Sequence, residues 1–234
     1  MLWENIYGLL FNELTRGLYA KGSRFPTEAQ LSTRFRVNRH TIRRALKKLS
    51  SDGLIYSRQG AGVFVTTEPM TYRFDKKTRF STHITEPSKD TTLKLLFHTT
   101  RPSNKEEAKK CGIKEGQLIH HIEGIRERKE LPLMHFTSFL PAKMVPDFIK
   151  YLLLSKGISK ALKKCGVSDY SRLTSKITAV SADSMIANIL MVDIGSPILQ
   201  VHSTDVLNDG SIIECGNTLM AADRISIKVE FEQN

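Results

Sequence analysis

The chain has 234 residues, room for one large domain or two small ones, and a formal charge of +11. Residues 1–67 hold 11 Lys/Arg against 4 Asp/Glu, a net of +7, while residues 68–80 hold 4 against 2 and residues 81–234 hold 20 against 18. That asymmetry marks contact with nucleic acid or an anionic surface; the membrane option is weakened by the lack of a long apolar run, and export by Glu4 where a signal peptide carries basic residues.

In chain order, Trp3, Ile6, Tyr7, Leu10, Leu14 and Leu18 repeat at helical spacing and predict a first amphipathic helix over 3–18, ended by Lys21-Gly22-Ser23. Pro26–Gln30 opens a second helix. Thr27 is a good N-cap with Gln30 three residues on, a capping box, and Ala29, Leu31 and Phe35 are expected to face inward. Arg36-Val37-Asn38 makes a short turn, and Asn38 caps a third helix over 38–49. In that helix Ile42, Ala45, Leu46 and Leu49 form an apolar stripe, while His40, Arg43, Arg44 and Lys47 make a cationic face without an interleaved acid. A solvated helix usually mixes signs, so this face is built for a polyanion. Asp52-Gly53 stops the helix, and two short strands, Leu54–Arg58 and Val63–Thr67, flank Gln59-Gly60-Ala61-Gly62. Three helices and a hairpin with a glycine-rich tip make a winged helix-turn-helix. Taken singly, an Arg/Lys-rich helix is more often a solvated face and a glycine pair merely a turn; it is their order, with the charge asymmetry, that points to DNA.

Residues 23–65 resemble the DNA-binding domain of GntR-family bacterial repressors, through Phe25–Glu28, Val37–Leu46, Asp52-Gly53 and Arg58–Val65. The run Val37–Ala45 looks most like the phosphonate-utilisation regulators of the HutC-type branch. The resemblance implies that Arg39 and Arg43 meet guanine edges or phosphates, that His40 and Thr41 lie at the groove floor, and that Arg58, Gln59, Gly60 and Gly62 form a wing in the adjacent minor groove. Arg44 and Lys47, further round the helix, are expected to hold phosphates, contacts that position without reading sequence. A bidentate arginine–guanine pair discriminates by about 1–3 kcal/mol.

Residues 68–80 are polar and mixed, with Pro69, and read as a linker between a DNA-binding domain at 1–67 and a second domain at 81–234. The period then changes. Strands are expected at 93–97, 117–128, 131–140, 173–180, 197–207, 211–221 and 225–231, and helices at 103–111, 144–153, 157–165 and 183–191, the first with a Ser103/Glu106 capping box. Strands that mostly pair as hairpins give an antiparallel α+β domain. At an offset of 79 residues, 103–142 overlies 182–221: Gly116 meets Gly195, Ile119 Ile198, Leu140 Leu219 and Ala142 Ala221. Two similar hairpins could match so by chance; a true duplication would place two related halves in one sheet with a cleft between them.

No catalytic constellation is evident. Cys111, Cys165 and Cys215 lack metal-ligand or disulfide spacing and fit a reducing cytoplasm, and His120-His121 point to opposite faces of a strand. No metal, cofactor or enzymatic activity is called for. Arg126 and Arg128 alternate on one strand and so share a face; two guanidiniums there suit a phosphate- or carboxylate-like group, against the plainer reading of a strand end paired with Glu127 or Glu130.

Residues 80–231 look like the effector domain of HutC-type (UTRA) regulators, which share the chorismate lyase fold, through Lys94-Leu95-Leu96, Arg101-Pro102, Arg126, Leu131-Pro132, Glu214 and Asp223. The resemblance implies a small-molecule pocket using Arg79, Ser81, Thr82, Thr92, Arg126, Arg128, Gly157, Ser159 and Glu214, with an anion site at the helix that begins near Gly157. Phe136 and Met220 stand where sugar-binding relatives carry an acidic and an aromatic residue, which favours a phosphonate, a phosphate ester or another small anion over an aminosugar. The expectation is a cytoplasmic, homodimeric, ligand-responsive repressor of double-stranded operator DNA, with no membrane partner. The alternatives are a lyase-like enzyme domain tethered to DNA and a constitutive DNA binder without an effector.

Overall fold

The first helix stops short of its own apolar pattern. In the computed structural model, which describes residues 2–58, 62–66, 69–74, 91–128 and 130–229, α1 spans Leu2–Thr15. The Thr15 hydroxyl donates to the carbonyls of Phe11 and Asn12, and Gly17 turns the chain at φ 75°. The last turn is thus closed before Leu18, which stays 70% exposed.

α2 (Glu28–Phe35) carries the capping box: Thr27 Oγ1 accepts from the Gln30 amide at 3.2 Å, and Gln30 Oε1 accepts from the Thr27 amide at 2.9 Å. Leu31 is fully buried and Phe35 half-buried, but Ala29 is exposed, because two residues from Leu31 on a helix is the opposite side. Arg36 ends α2 in the left-handed region at φ 53°, giving its amide to the carbonyls of Ser32 and Thr33. α3 (Arg39–Ser51) starts at Asn38, whose side chain accepts from the Thr41 amide at 2.8 Å. Its stripe Ile42, Ala45, Leu46 and Leu49 is buried against Ile6, Leu10, Phe25 and Leu31. Strands β1 (Ile55–Arg58) and β2 (Gly62–Val65) pair antiparallel, with Tyr56 stacked on Phe64 at 5.8 Å.

The contacts divide the chain into two units, at residues 1–68 and 69–234. The expected linker therefore contributes to the second unit: β3 (Met70–Phe74) pairs with β10 (Ile225–Val229). That pairing is parallel and separate from the main sheet, whereas the sequence placed 225–231 among antiparallel strands. Residues 75–90 lie outside the described part.

The main sheet has six antiparallel strands in the order β4-β5-β6-β9-β8-β7: β4 (Thr91–Pro102), β5 (Leu118–Arg128), β6 (Leu131–Pro141), β7 (Ser171–Ser181), β8 (Pro197–Val206) and β9 (Ile212–Ala221). Helix α4 (Lys105–Cys111) is capped by Asn104 with Glu107, not by Ser103 with Glu106, so the box lies one residue later than the sequence was read. Arg101 explains the choice. Its guanidinium takes Glu107 bidentately at 2.6 and 2.8 Å and holds that carboxyl down at about 2. α5 (Phe148–Ser155) begins four residues later than expected, since Val145 precedes Pro146 and is steered away from helix. α6 (Ile158–Lys164) and α7 (Ser184–Leu190) complete the unit.

The 79-residue repeat is reproduced in the geometry. β4-α4-β5-β6 and β7-α7-β8-β9 have the same order and meet at the β6–β9 seam, Asn104 and Asp183 cap matching helices, and Gly116 and Gly195 turn at φ 82° and 86°. The buried Arg224 guanidinium joins the seam to α7, donating to the carbonyls of Pro132 at 2.6 Å, Leu190 at 2.5 Å and Met191 at 2.8 Å. Among the described residues no helix is long and apolar enough to cross a membrane.

Gly124 on β5 is there to admit Phe136 from β6: a Cβ on it would lie 2.7 Å from Phe136 Cζ. Gly124→Ala is expected to destabilise the fold by roughly 1–3 kcal/mol through overpacking, and Phe136→Leu in the same chain to recover part of that, both read by thermal melting.

Candidate nucleic-acid interface and effector cavity

The stripe of α3 fixes which way its cations point. With Ile42, Ala45, Leu46 and Leu49 buried, Arg39, His40, Arg43, Arg44 and Lys47 are exposed and Thr41 half-exposed on the side away from the core. Three of these side chains make described contacts: Thr41 Oγ1 donates to Asn38 Oδ1 at 2.8 Å, and two arginines reach other helices. Arg43 donates bidentately to Glu28 of α2, Nε to Oε1 at 3.1 Å and Nη2 to Oε2 at 3.0 Å, which together with nearby Arg39 keeps the Glu28 carboxyl below its usual range. The cationic face therefore has an acidic neighbour that the reading of α3 alone did not reveal. Arg44 lies over the Trp3 ring at 5.0 Å, a cation–π contact that draws it back towards α1.

At the wing, Arg58 and Gly62 face each other across β1 and β2, and Gln59 and Gly60 fall outside the described residues. Gly62 has φ 105°, and a Cβ on it would come within 3.1 Å of Arg24 Nε, so the glycine admits the Arg24 side chain against the wing base. Arg24 bridges to Phe64 on β2. It belongs with the basic surface, and the only hint in the sequence is one arginine directly before Phe25.

In the second unit, strands β5 to β9 with β3 and α6 enclose a cavity of about 640 Å³ counted to its open mouth. Three expected residues line it: Arg126, Ser159 and Glu214. The others do not. Gly157 caps α6 outside the wall, and a seven-residue helix sums too few peptide dipoles to serve as an anion site alone. Arg128 sits at the end of β5 opposite Thr91 and Leu131, past the bulge at Arg126/Glu127. Thr92 is exposed and donates to Glu127 at 3.3 Å. Arg79, Ser81 and Thr82 lie outside the described residues.

Among the described residues the guanidinium that joins Arg126 in the cavity lining is that of Arg172, not Arg128. Arg172 on β7, Asp205 on β8 and Glu214 on β9 are direct cross-strand neighbours, one row across three strands. Arg172 Nε donates to Asp205 Oδ1, Nη2 to Oδ2 at 3.4 Å, and Nη1 to Ser175 at 3.1 Å. Burial opposes its charge, but Asp205 outweighs that and raises its pKa. Glu214 accepts from the Ser138 hydroxyl at 2.7 Å, and burial, then Asp205, push its carboxyl up to about 7. Burial also brings Arg126 down to about 10 and Tyr72, which closes one side from β3, up to about 12. Met134, Phe136 and Met220 supply apolar wall, and the Tyr170 hydroxyl donates to Ser159 at 3.1 Å. Among the described residues no group of His, Cys, Asp and Glu is arranged to hold a metal, and all three cysteines are free.

The model of the gntR family of bacterial regulatory proteins matches residues 2–65, and the UTRA domain model matches residues 88–226, more than half of the chain. The chain belongs to the GntR family and carries a UTRA domain. An HTH-type transcriptional regulator of Rhizobium meliloti (strain 1021) is 26% identical over 98% of this chain and 94% of its own. The probable transcriptional regulator PhnF of Escherichia coli (strain K12) is 36% identical over 53% of this chain and 51% of its own. The crystal structure of PhnF from Mycobacterium smegmatis shares the fold with a TM-score of 0.65 at 20% identity, covering 97% of this chain and 99% of that one. These relatives in sequence are named as regulators, which sets this GntR/UTRA chain among transcriptional regulators and not among enzymes.

In the UTRA domain, Glu214 keeps its proton more tightly folded than unfolded, so the fold loses stability as pH rises from the ordinary glutamate range towards 7. Glu214→Gln is accordingly expected to melt above the wild type at pH 8, with the gap closing at pH 5. A melting difference independent of pH would contradict the shift.

Proposed function

We propose that this GntR/UTRA regulator is a dimeric repressor whose operator is read by α3 and whose DNA affinity is set by a small anion in the UTRA cavity. In this reading Arg39, His40, Thr41 and Arg43 face base edges in the major groove, Lys47 and Arg44 hold phosphates, and Arg58, Gln59, Gly60 and Gly62 form the wing tip, with Arg24 at its base. Glu28 then acts as a clamp that presents the Arg43 fork in one orientation, lowering the entropy lost on binding. A single short helix reads few base pairs, so two copies are needed, on half-sites about 34–36 Å apart.

The observation that carries the effector half is Arg126. Its guanidinium sits desolvated in a cavity with an apolar wall, and an anion bound beside it would offset that cost. Phe136 and Met220 in the wall suit a ligand with a short apolar portion better than a polyhydroxylated sugar, in line with a phosphonate or phosphate ester.

Arg43→Ala is expected to weaken binding to DNA selected from a random pool by about tenfold or more and to relax the preferred base at one position, in a gel-shift titration. Unchanged affinity would refute α3 as the reading helix. Arg126→Ala is expected to leave DNA binding intact and to abolish calorimetric binding of alkylphosphonates and phosphate esters; binding at the wild-type constant would refute the anion site.

A further inference from the structure

Two cysteines far apart in the sequence meet behind the cavity wall. Helix α4 packs on β9, where Gly112 closes the helix at φ 64° and lets Ile212 approach: a Cβ on it would lie 3.3 Å from Ile212 Cδ1. The same packing brings Cys215 Sγ to the Lys110 carbonyl, to which it donates at 2.9 Å, and against the thiol of Cys111, one residue further along α4. Cys111 donates to Cys215, and the Thr204 hydroxyl donates from the directly opposite position on β8. These two donors favour the thiolate of Cys215 and lower its pKa against the cost of burial, while the bond it gives raises that of Cys111. Cys215 is 6% exposed and Cys111 1%, so only a very small reactant fits between them and solvent. Side chains alternate along a strand, so Cys215 faces α4 while its neighbours Glu214 and Gly216 line the effector cavity.

We propose that Cys111 and Cys215 are a peroxide-reactive dithiol, whose disulfide ties α4 to the strand that carries Glu214. Cys215 is the attacking sulfur. Its thiolate forms an S–O bond with hydrogen peroxide as the O–O bond breaks, and the leaving hydroxide takes up the proton that Cys215 released and departs as water. Cys111 then resolves the sulfenic acid: its sulfur forms the S–S bond, the S–O bond breaks, and its proton leaves with the hydroxyl as a second water. The two thiols together lose two electrons, and one peroxide is reduced to two waters. A buried cysteine by itself is an inert apolar side chain, but here each sulfur has the other as its reaction partner. The bond joins the two halves of the repeat and restrains β9 directly behind the cavity, whatever ligand the cavity takes.

The test is thiol mapping on the full wild-type chain, which needs no substitution. The folded chain is treated with excess hydrogen peroxide, unfolded in an alkylating reagent, digested without reduction and weighed. The peptides holding Cys111 and Cys215 are expected as one linked species, two hydrogens lighter than their sum, with Cys165 alkylated and with both thiols restored by dithiothreitol. Both cysteines still alkylated, or Cys215 carried to a sulfonic acid without the link, would overturn the proposal. In Cys111→Ser the reaction is expected to stop at a Cys215 sulfenic acid that dimedone captures, and in Cys215→Ser no capture is expected at Cys111. The reverse pattern would overturn the assignment of the attacking sulfur. Hydrogen exchange of the oxidised chain is expected to slow over residues 212–221 relative to the reduced chain. Equal exchange there would overturn the restraint on the cavity wall.

Discussion

Desolvated charge is the constraint around which the UTRA domain is arranged. A sheet that closes over a cavity must satisfy whatever ionisable groups it encloses, and among the described residues the lining holds two guanidiniums and two carboxylates. Arg172 and Asp205 answer each other across β7 and β8, whereas Glu214 and Arg126 carry shifted pKa values because burial is incompletely offset. Buried ionisable groups of this kind are costly to a fold, and the cleft they line is where the effector is proposed to bind. The apolar clusters that reach the cavity wall through Phe136, Met134 and Met220 carry the stability that permits it.

The winged unit solves the opposite problem. Its core is sealed by the stripe of α3, so the cations of that helix have nowhere to go but outward. Described contacts relieve three of them: Glu28 takes Arg43, Asp52 takes Lys48, and Arg44 lies over the Trp3 ring. The ion pairs are exposed and contribute little to stability. Their consequence is geometric, because the Glu28 and Trp3 contacts restrict the orientations of Arg43 and Arg44.

How much of this was legible depended on sequence distance. α3 and its cap were readable because the stripe, Asn38 and the Asp52-Gly53 stop all lie within 16 residues. The repeat was readable because its glycines and apolar positions recur at a fixed offset. The cavity was only partly so. Arg172 meets Asp205 across 33 residues and Ser138 meets Glu214 across 76, pairings set by a strand register that local pattern does not contain. Tyr72 was missed for the same reason: the segment read as linker is a strand because it pairs with Ile225–Val229 at the far end of the chain. Arg128 was over-read, since alternation along β5 says which face a residue takes but not where the cavity ends.

A ligand can change the DNA affinity of a two-unit regulator only if it favours one arrangement of the chain over another. The most direct measurement is fluorescence anisotropy of labelled, selected operator DNA, titrated with the chain alone and with the chain saturated by whichever phosphonate binds the cavity. The account predicts that occupying the cavity shifts the DNA dissociation constant by at least tenfold, about 1.4 kcal/mol. Superimposable titrations, with the ligand demonstrably bound, would contradict it.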